Sequence, residues 1–454
     1  MLVGDAMTSR FNLEPLASPG YRRYLLAATL AALALWIYEP ALEWIVLRRT
    51  GETAAVGLIQ TVLIIPVAVA SLPSGVLADR IGSRRMVAIS LMGIGAAVAG
   101  VGVLGLVDSI TFEFAIVLTL VLGIFDGLYP VAAQLIVTRL VEPRFLGSAI
   151  GLSMLSNGIG RLIGAPLGGL VLQELGPAQA FLPAAGVLLL SGLIVLTIPV
   201  VERHEPGAAS LGAGDVRDSM RWLWRQPTAL AITTLGAIAA AFAYGYGALP
   251  PTITRDLLHA DSGELGLLSG AAGVGAIVSA LTLETLGRRV GRGRLVVGSV
   301  AAAGIAIGAI GLTGVLELSL GLSLLIALFT STFAGTAALL LQTMAPPRMR
   351  ARILALYGFV FYSILPVATV TAGALADRFG VQAVLLGMGA MTAIGAAAIV
   401  LAHREVLGTD VGRDGGLLIH GQPMSVGPRG NLVPRPPRQH DPSSPDHGVL
   451  SSEP

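Results

Sequence analysis

Residues 54–107 read AAVGLIQTVLIIPVAVASLPSGVLADRIGSRRMVAISLMGIGAAVAGVGVLGLV, two apolar runs, 54–77 and 86–107, joined by the charged turn Ala78–Arg85. About 20 mainly apolar residues in a helix cross the roughly 30 Å hydrocarbon core of a bilayer, and each run meets that length. The turn carries four charges and cannot lie in lipid, where every polar backbone and side-chain group needs an internal partner. Working outward, ten further runs of the same kind are found: 24–47, 112–137, 146–172, 178–200, 229–250, 264–286, 295–314, 317–341, 351–375 and 381–402. The whole chain of 454 residues is 54% hydrophobic and 12% charged, against about a quarter charged in soluble domains. The expectation is an all-α membrane protein with twelve transmembrane helices in two six-helix halves.

The arginines set the orientation expected in the membrane, because positively charged short loops stay on the cytoplasmic side. With both termini inside, 24 of the 29 basic residues, all of them Arg, fall on the inner side; Arg48, Arg49, Arg255 and Arg378 fall outside and Arg161 within a span. The expected organisation is a cytoplasmic N-terminal segment (1–23), a first half (24–200), a cytoplasmic central loop (201–227), a second half (228–402) and a disordered cytoplasmic tail (403–454). The N-terminal segment lacks the pattern of a removable signal peptide, since it carries Asp5, Glu14 and two prolines before a run of full spanning length. With no cysteine in the chain, disulfides, Cys-ligated zinc and thiol nucleophiles are excluded. The absence of Lys excludes a phosphate-binding Gly-x-x-x-x-Gly-Lys-Ser/Thr loop and hence ATP-driven transport by this chain alone. A net charge of +2 gives no reason to expect nucleic acid as a partner.

The halves repeat. A shift of 204 brings Pro143 and Arg144 onto Pro347 and Arg348, Gly169 onto Gly373 and Gly176 onto Gly380, and a shift of 205 brings Asp79, Gly82 and Arg84 onto Glu284, Gly287 and Arg289. Agreement of two loops at nearly one shift marks a parallel repeat. The turn after the second span, Gly75-x-x-x-Asp79-Arg80-x-Gly82-Ser83-Arg84-Arg85, resembles the signature loop of the major facilitator superfamily, with Ser83 in place of the usual basic residue. The resemblance implies that Asp79 acts as a conformational latch against the start of the eleventh helix, here near Arg350 and Arg352. In the fifth span, Gly160-x-x-x-Gly164-Ala165-Pro166-Leu167-Gly168-Gly169 is similar to the Gly/Pro-rich element of antiporter members, with Pro166 one place later than usual; small residues of this kind also allow close helix packing without directional meaning. A second run, Ala376-Asp377-Arg378-Phe379-Gly380, reads as an outer turn that shares the spelling of the first. Together with Arg22–Arg23 and Arg161, these features resemble the enterobactin-exporter and macrolide-efflux branch.

Ionisable groups in hydrocarbon are costly and mark functional positions. Glu39 and Glu43 stand one turn apart on the first helix around Pro40, and Asp126 stands near the middle of the fourth. These three are the proton-coupling candidates, Glu39 first, while Glu43 also reads as snorkelling to the outer surface near Trp44. Arg161 lies at a depth similar to Asp126, with Asn157 one turn before it, and an ion pair between the two is expected, permanent or broken during transport. The corresponding places of the second half hold aromatics, so the expected cavity residues are Arg161, Asn157, Tyr244, Tyr246, Tyr357 and Phe361. The leading function is proton-coupled efflux of a small amphipathic compound by a monomer in a bacterial cell membrane, with no cofactor and the proton gradient as energy source. Proton-coupled uptake of a sugar, nucleoside or organic anion is the alternative within transport; a membrane-embedded enzyme or a non-transporting sensor is the alternative outside it.

Overall fold

The computed structural model describes residues 13–199, 213–346, 349–411, 417–419, 421–426 and 432–434. Twelve helices long and apolar enough to span follow in order: α1 (Pro19–Thr50), α2 (Thr53–Ile81), α3 (Ser83–Leu106), α4 (Phe112–Leu140), α5 (Leu146–Leu175) and α6 (Pro177–Leu196), then α7 (Pro227–Ala248), α8 (Ser262–Val290), α9 (Arg292–Ile310), α10 (Leu316–Met344), α11 (Arg350–Phe379) and α12 (Val381–Ala402). An even number of crossings places the start of α1 and the end of α12 on one side of the bundle, the terminal side; the α1–α2, α5–α6, α7–α8 and α11–α12 turns lie on the far side.

Local chemistry sets the boundaries. Ser18 accepts a hydrogen bond from the Tyr21 N–H and Pro19 takes the first helical position, so α1 starts five residues before the apolar run. Asp261 and Glu264 close a reciprocal capping box at the start of α8, which satisfies two orphan amides there. The tight turns α5–α6 and α11–α12 pivot on Gly176 (φ 91°) and Gly380 (φ 84°), a left-handed backbone that favours glycine, and these are the two glycines related by the repeat.

Each half buries its own core. One cluster runs from Tyr21 to Ile198, joined by Leu265, and the other from Trp222 to Leu417. α7 departs from α-helical geometry in its outer part: it turns to π-helix at Ala239–Tyr244 and to 3₁₀-helix at Gly245–Ala248, and Pro250 and Pro251 follow. Glycines at 245 and 247 loosen the backbone, and the prolines supply no N–H to continue an i→i−4 ladder.

Two parts of the domain reading need correction. The central segment contains a helix, Ala213–Arg225, whose Trp222 and Leu223 are buried and dock it on the bundle, while Met220 and Trp224 stay exposed. The chain after His403 is ordered where it is described: a 3₁₀ turn, Arg404–Gly408, leads into an antiparallel meander of β1 (Thr409–Val411), β2 (Leu417–Ile419), β3 (Gln422–Val426) and β4 (Leu432–Pro434). Its anchor is the α8–α9 turn. Arg292, 8% exposed, donates to Asp410 Oδ1 (3.2 Å), to the Val411 carbonyl (2.9 Å) and to both carboxylate oxygens of Glu284 (3.1 Å each), while Val406 and Leu417 enter the second core. High Pro and charge content masked this docking because the apolar residues that enter the core are few and scattered.

Candidate functional site

α1 presents Trp36, Glu39, Pro40 and Glu43 along one stripe, the i, i+3, i+4, i+7 spacing of a single helix face. That face borders a cavity between the halves, closed in by Gln60 of α2 and Arg161 of α5 on one side and by Tyr244 and Tyr246 of α7 on the other. Ser269 of α8 and Ser323 and Thr330 of α10 complete the polar part of the wall. Close approach of α5 to α1 depends on its glycines: a Cβ at Gly160, Gly164 or Gly168 meets α1 at Ala32, Leu33 and Ile37, with contacts of 2.6 Å at Gly160 and 2.5 Å at Gly164. Gly169 and Pro166 of the same element face α8 instead, at Ser262 and Gly270. The Gly/Pro-rich element thus packs α5 against both halves at once.

Arg161 lies with its guanidinium 4.3 Å over the Trp36 ring, and its Nε donates to the Ser269 carbonyl at 3.1 Å. A cation over an indole face contributes about 0.5–1 kcal/mol at a solvated site and more when desolvated; Arg161 is half-buried. The expected ion pair with Asp126 is absent: among the described residues no salt bridge joins them. The reason is helix placement. Gly123 and Gly127 turn α4 against Leu63 and Val67 of α2, whereas α5 packs on α1 and α8, so similar depth does not bring the two charges together.

Glu43 is buried at 9% exposure and does not snorkel; its Oε1 accepts a hydrogen bond of 2.8 Å from Gln60 Nε2. Glu39 borders the cavity and, among the described residues, accepts no hydrogen bond from the protein. Asp126, Asn157, Tyr357 and Phe361 do not border it. Phe361 instead packs edge-on against Tyr244, ring centroids 4.8 Å apart at 82°, and with Tyr357 at 6.4 Å it backs the aromatic wall rather than forming it. Tyr244 is fixed by donating its hydroxyl to the Thr330 carbonyl at 2.8 Å.

The halves meet on the far side along two seams. In the α2–α11 seam, Asp377 accepts hydrogen bonds from the Thr53 N–H (2.7 Å) and the Ala54 N–H (2.8 Å). Glu52, the N-cap of α2, makes no side-chain cap bond; a carboxylate from the opposite half caps that helix in its place. Thr61 donates to the Pro366 carbonyl at 2.9 Å deeper in the same seam. In the α5–α8 seam, Gln173 accepts from the Gly263 N–H at 3.1 Å and Ser262 donates to the Gly169 carbonyl at 3.0 Å. Gln173 and Asp377 are the pair matched by the 204-residue shift, and each serves a helix N-terminus across the interface. The second Ala-Asp-Arg-x-Gly run lies at the outer α11–α12 turn, as read from the sequence, and also makes an interdomain contact there.

The latch residues lie on the terminal side. Gly75 belongs to α2, the side chain of Asp79 lies outside the described residues, Arg80 and Arg85 are exposed, and Gly82 adopts φ 90° to make the turn. Arg84 donates to the Ile198 carbonyl at 3.0 Å. Ser83 accepts from Arg139 Nη1 at 3.0 Å, so the departure from the family pattern joins the loop to α4.

Comparison with known proteins agrees with this architecture. Residues 10–411 match the family described as transmembrane secretion effector. The chain belongs to this family, in the efflux branch of the major facilitator superfamily. It is 25% identical over 393 residues to the multidrug efflux pump Tap of Mycolicibacterium fortuitum, covering 83% of this chain and 94% of Tap. It is 30% identical over 348 residues to the enterobactin exporter EntS of Citrobacter koseri, covering 74% and 80%. Among solved structures, the nucleoside transporter NupG superposes with a TM-score of 0.67 at 14% identity, covering 85% of this chain and 99% of that one. An inward-facing, unoccupied bacterial homologue of the lysosomal transporter Spinster also gives 0.67, at 15% identity, covering 85% and 97%. These likenesses establish the fold. The chain is a multi-pass membrane transporter of a small molecule and not an enzyme.

Proposed function

We propose that this transporter exports a small amphipathic compound in exchange for protons, by alternating access of the cavity between the halves. The observation that carries the reading is the composition of that cavity: two carboxylates and an arginine from the first half face tyrosines and small hydroxyls from the second. Aromatic faces and aliphatic stems bind apolar bodies with little orientational demand, while the few charged groups fix polar ends and hold a proton. A carboxylate that carries a proton in one conformation and releases it in the other links a gradient to substrate movement, because each ligand then favours a different state. The Tap and EntS relatives support the outward direction. The arginine distribution supports cytoplasmic termini in a bacterial inner membrane; with that orientation the far-side seams close the outer face. A monomer suffices, since one chain supplies both walls.

The test is flux in proteoliposomes of purified protein, with a panel of siderophores, macrolides and cationic dyes, with and without an imposed ΔpH. Accumulation against a gradient that collapses with ΔpH is the expected result. Flux that ignores ΔpH for every transported compound refutes proton exchange, and accumulation in the opposite sense refutes export.

A further inference from the structure

Gln60 spans the interface with one amide group. Its Nε2 donates to Glu43 Oε1 at 2.8 Å within the first half and to the carbonyl of Gly247 at 3.0 Å in the second. The second acceptor is available for a reason legible in the backbone. A carbonyl in a helical turn is normally taken by the N–H three or four residues on, and for Gly247 those residues are Pro250 and Pro251, neither of which has an N–H. Tyr246, one residue earlier, has its carbonyl taken by the Leu249 N–H at 2.9 Å. The irregular end of α7 thus leaves one orphan carbonyl facing the opposite half, and a Gln side chain fills it. A Cβ at Gly247 would stand in ordinary contact, 3.5 Å from Gln60 Oε1, so the bond rests on the free carbonyl and not on the missing side chain.

We infer that Gln60 is a positioning residue that locks the far side when Glu43 is charged and the cavity is empty. Because it rests on the proton-exchange reading, the inference names how that reading avoids leakage. Both protons of one amide nitrogen are committed, one to each half, so the bond to Gly247 has the right geometry only while Glu43 holds the amide in place. A charged acceptor makes roughly twice as strong a hydrogen bond as a neutral one. Protonating Glu43 weakens that hold, and a substrate group that binds the carboxylate displaces it. Either ligand releases the tie to Gly247, whereas the empty, charged carrier stays shut. Exchange requires this pattern: interconversion when loaded with either ligand, none when empty. The other titratable or charged groups facing Glu43 are Glu39 and Tyr38 on its own helix, Arg161 from α5 and Tyr244 and Tyr246 from α7. Asp126 of α4 acts on Tyr38 and Glu39, while α2 and α4 present Gln60 and Thr119 to Glu43, neither of which titrates.

The experiment uses the absence of native cysteine. Spin labels at Ser109→Cys and Thr313→Cys, on the far-side α3–α4 and α9–α10 connections, report opening by the distance between them in nanodiscs across a pH series without substrate. The wild-type background is expected to show a single short distance at high pH and a second, longer population at low pH. Gln60→Leu is expected to show the longer population at every pH and, in proteoliposomes, substrate leak without ΔpH. Glu43→Gln is expected to fix the low-pH pattern. Pro251→Ala restores an N–H four residues after Gly247, competes for its carbonyl from within α7 and is expected to reproduce the Gln60→Leu behaviour more weakly, which keeps the test intact if Gln60→Leu folds poorly. A Gln60→Leu or Pro251→Ala protein that keeps the wild-type pH response overturns the lock while leaving ΔpH-driven export standing. A wild-type protein with no pH response in its far-side distance overturns it as well. Loss of ΔpH dependence in wild-type flux refutes the exchange reading itself.

Discussion

Asp377→Ala removes the side chain that caps α2 from the other half. In the closed seam the carboxylate accepts two backbone N–H groups, at 2.7 and 2.8 Å from Thr53 and Ala54. Loss of a cap side chain costs about 0.5–2 kcal/mol, and a charge at a helix N-terminus contributes about 0.3–1 kcal/mol of similar origin. Asp377 is exposed, so solvent screening places the effect near the lower half of that range, about 1 kcal/mol. The penalty applies only to the closed state, because parting the seam lets water reach both amides. One kcal/mol at 25 °C is about a fivefold change in an equilibrium constant. The open far-side population is therefore expected to rise about fivefold. Thr369, 1% exposed and in hydrogen-bond contact with Thr61 across the same seam, supplies the probe: alkylation of Thr369→Cys by a membrane-impermeant reagent added to the far side proceeds only through open molecules. The rate for Asp377→Ala/Thr369→Cys, divided by that for Thr369→Cys alone, reads the shift directly and cancels the effect of the probe. A ratio between one and two refutes the cross-half cap as a determinant of the state.

Three further outcomes are expected. Glu39→Gln abolishes ΔpH-driven accumulation while downhill exchange survives, whereas Asp126→Asn, off the cavity, keeps coupled transport; both are read in proteoliposomes, and a coupled Glu39→Gln protein removes Glu39 as the proton carrier. A double-mutant cycle of Asp126→Asn with Arg161→Ala is additive within about 0.5 kcal/mol in thermal or denaturant unfolding, as expected of groups that do not touch; a larger coupling contradicts the helix placement. Asp410→Ala removes one of two carboxylates from the nearly buried Arg292, and with Asp410 partly exposed the cost is about 1 kcal/mol, visible as faster amide exchange over residues 404–411 with α1–α6 unaffected.

The architecture was legible in sequence because hydrocarbon allows almost no freedom: spanning length, charged turns and the repeat each follow from the cost of exposing polar backbone to lipid. Glu39, Glu43, Arg161, Tyr244 and Tyr246 were legible for the same reason, since each is a polar or aromatic group at membrane depth. Partnership was not. Depth along a helix is readable from span counting, but rotation is fixed by which small residues touch which neighbour, and Gly127 facing Val67 while Gly160 faces Ala32 separates Asp126 from Arg161. Gln60 went unnoticed because an uncharged amide barely interrupts an apolar run. The double proline at 250–251 carries the complementary signal, an orphan carbonyl needing a donor from elsewhere. Asp377 and Gln173 are related by the 204-residue shift, and that shared position at two helix ends is the signal that each serves an interdomain seam.

The two seams and the cavity obey different symmetries, and the difference bears on mechanism. On the far side, Asp377 and Gln173 occupy repeat-related positions and each accepts from a helix N-terminus of the other half, so closure is built twice from one ancestral device. Inside, the repeat is broken: charges belong to α1 and α5, tyrosines to α7, and the Gln60 amide bridges Glu43 to Gly247. A symmetric seal alone opens and closes without regard to what the cavity holds. Selective response to a ligand requires a contact that differs between halves, with a titratable group on one side and a fixed acceptor on the other. Glu43, Gln60 and the proline-exposed carbonyl of Gly247 form such a contact, placed where α1, α2 and α7 converge just inside the seams. The strength of the seal then sets how far the resting equilibrium lies toward closure, while the occupancy of Glu43 decides when it is released, and substitutions at Asp377 and at Gln60 separate the two: the first shifts the open population equally at all pH values, the second removes its dependence on pH.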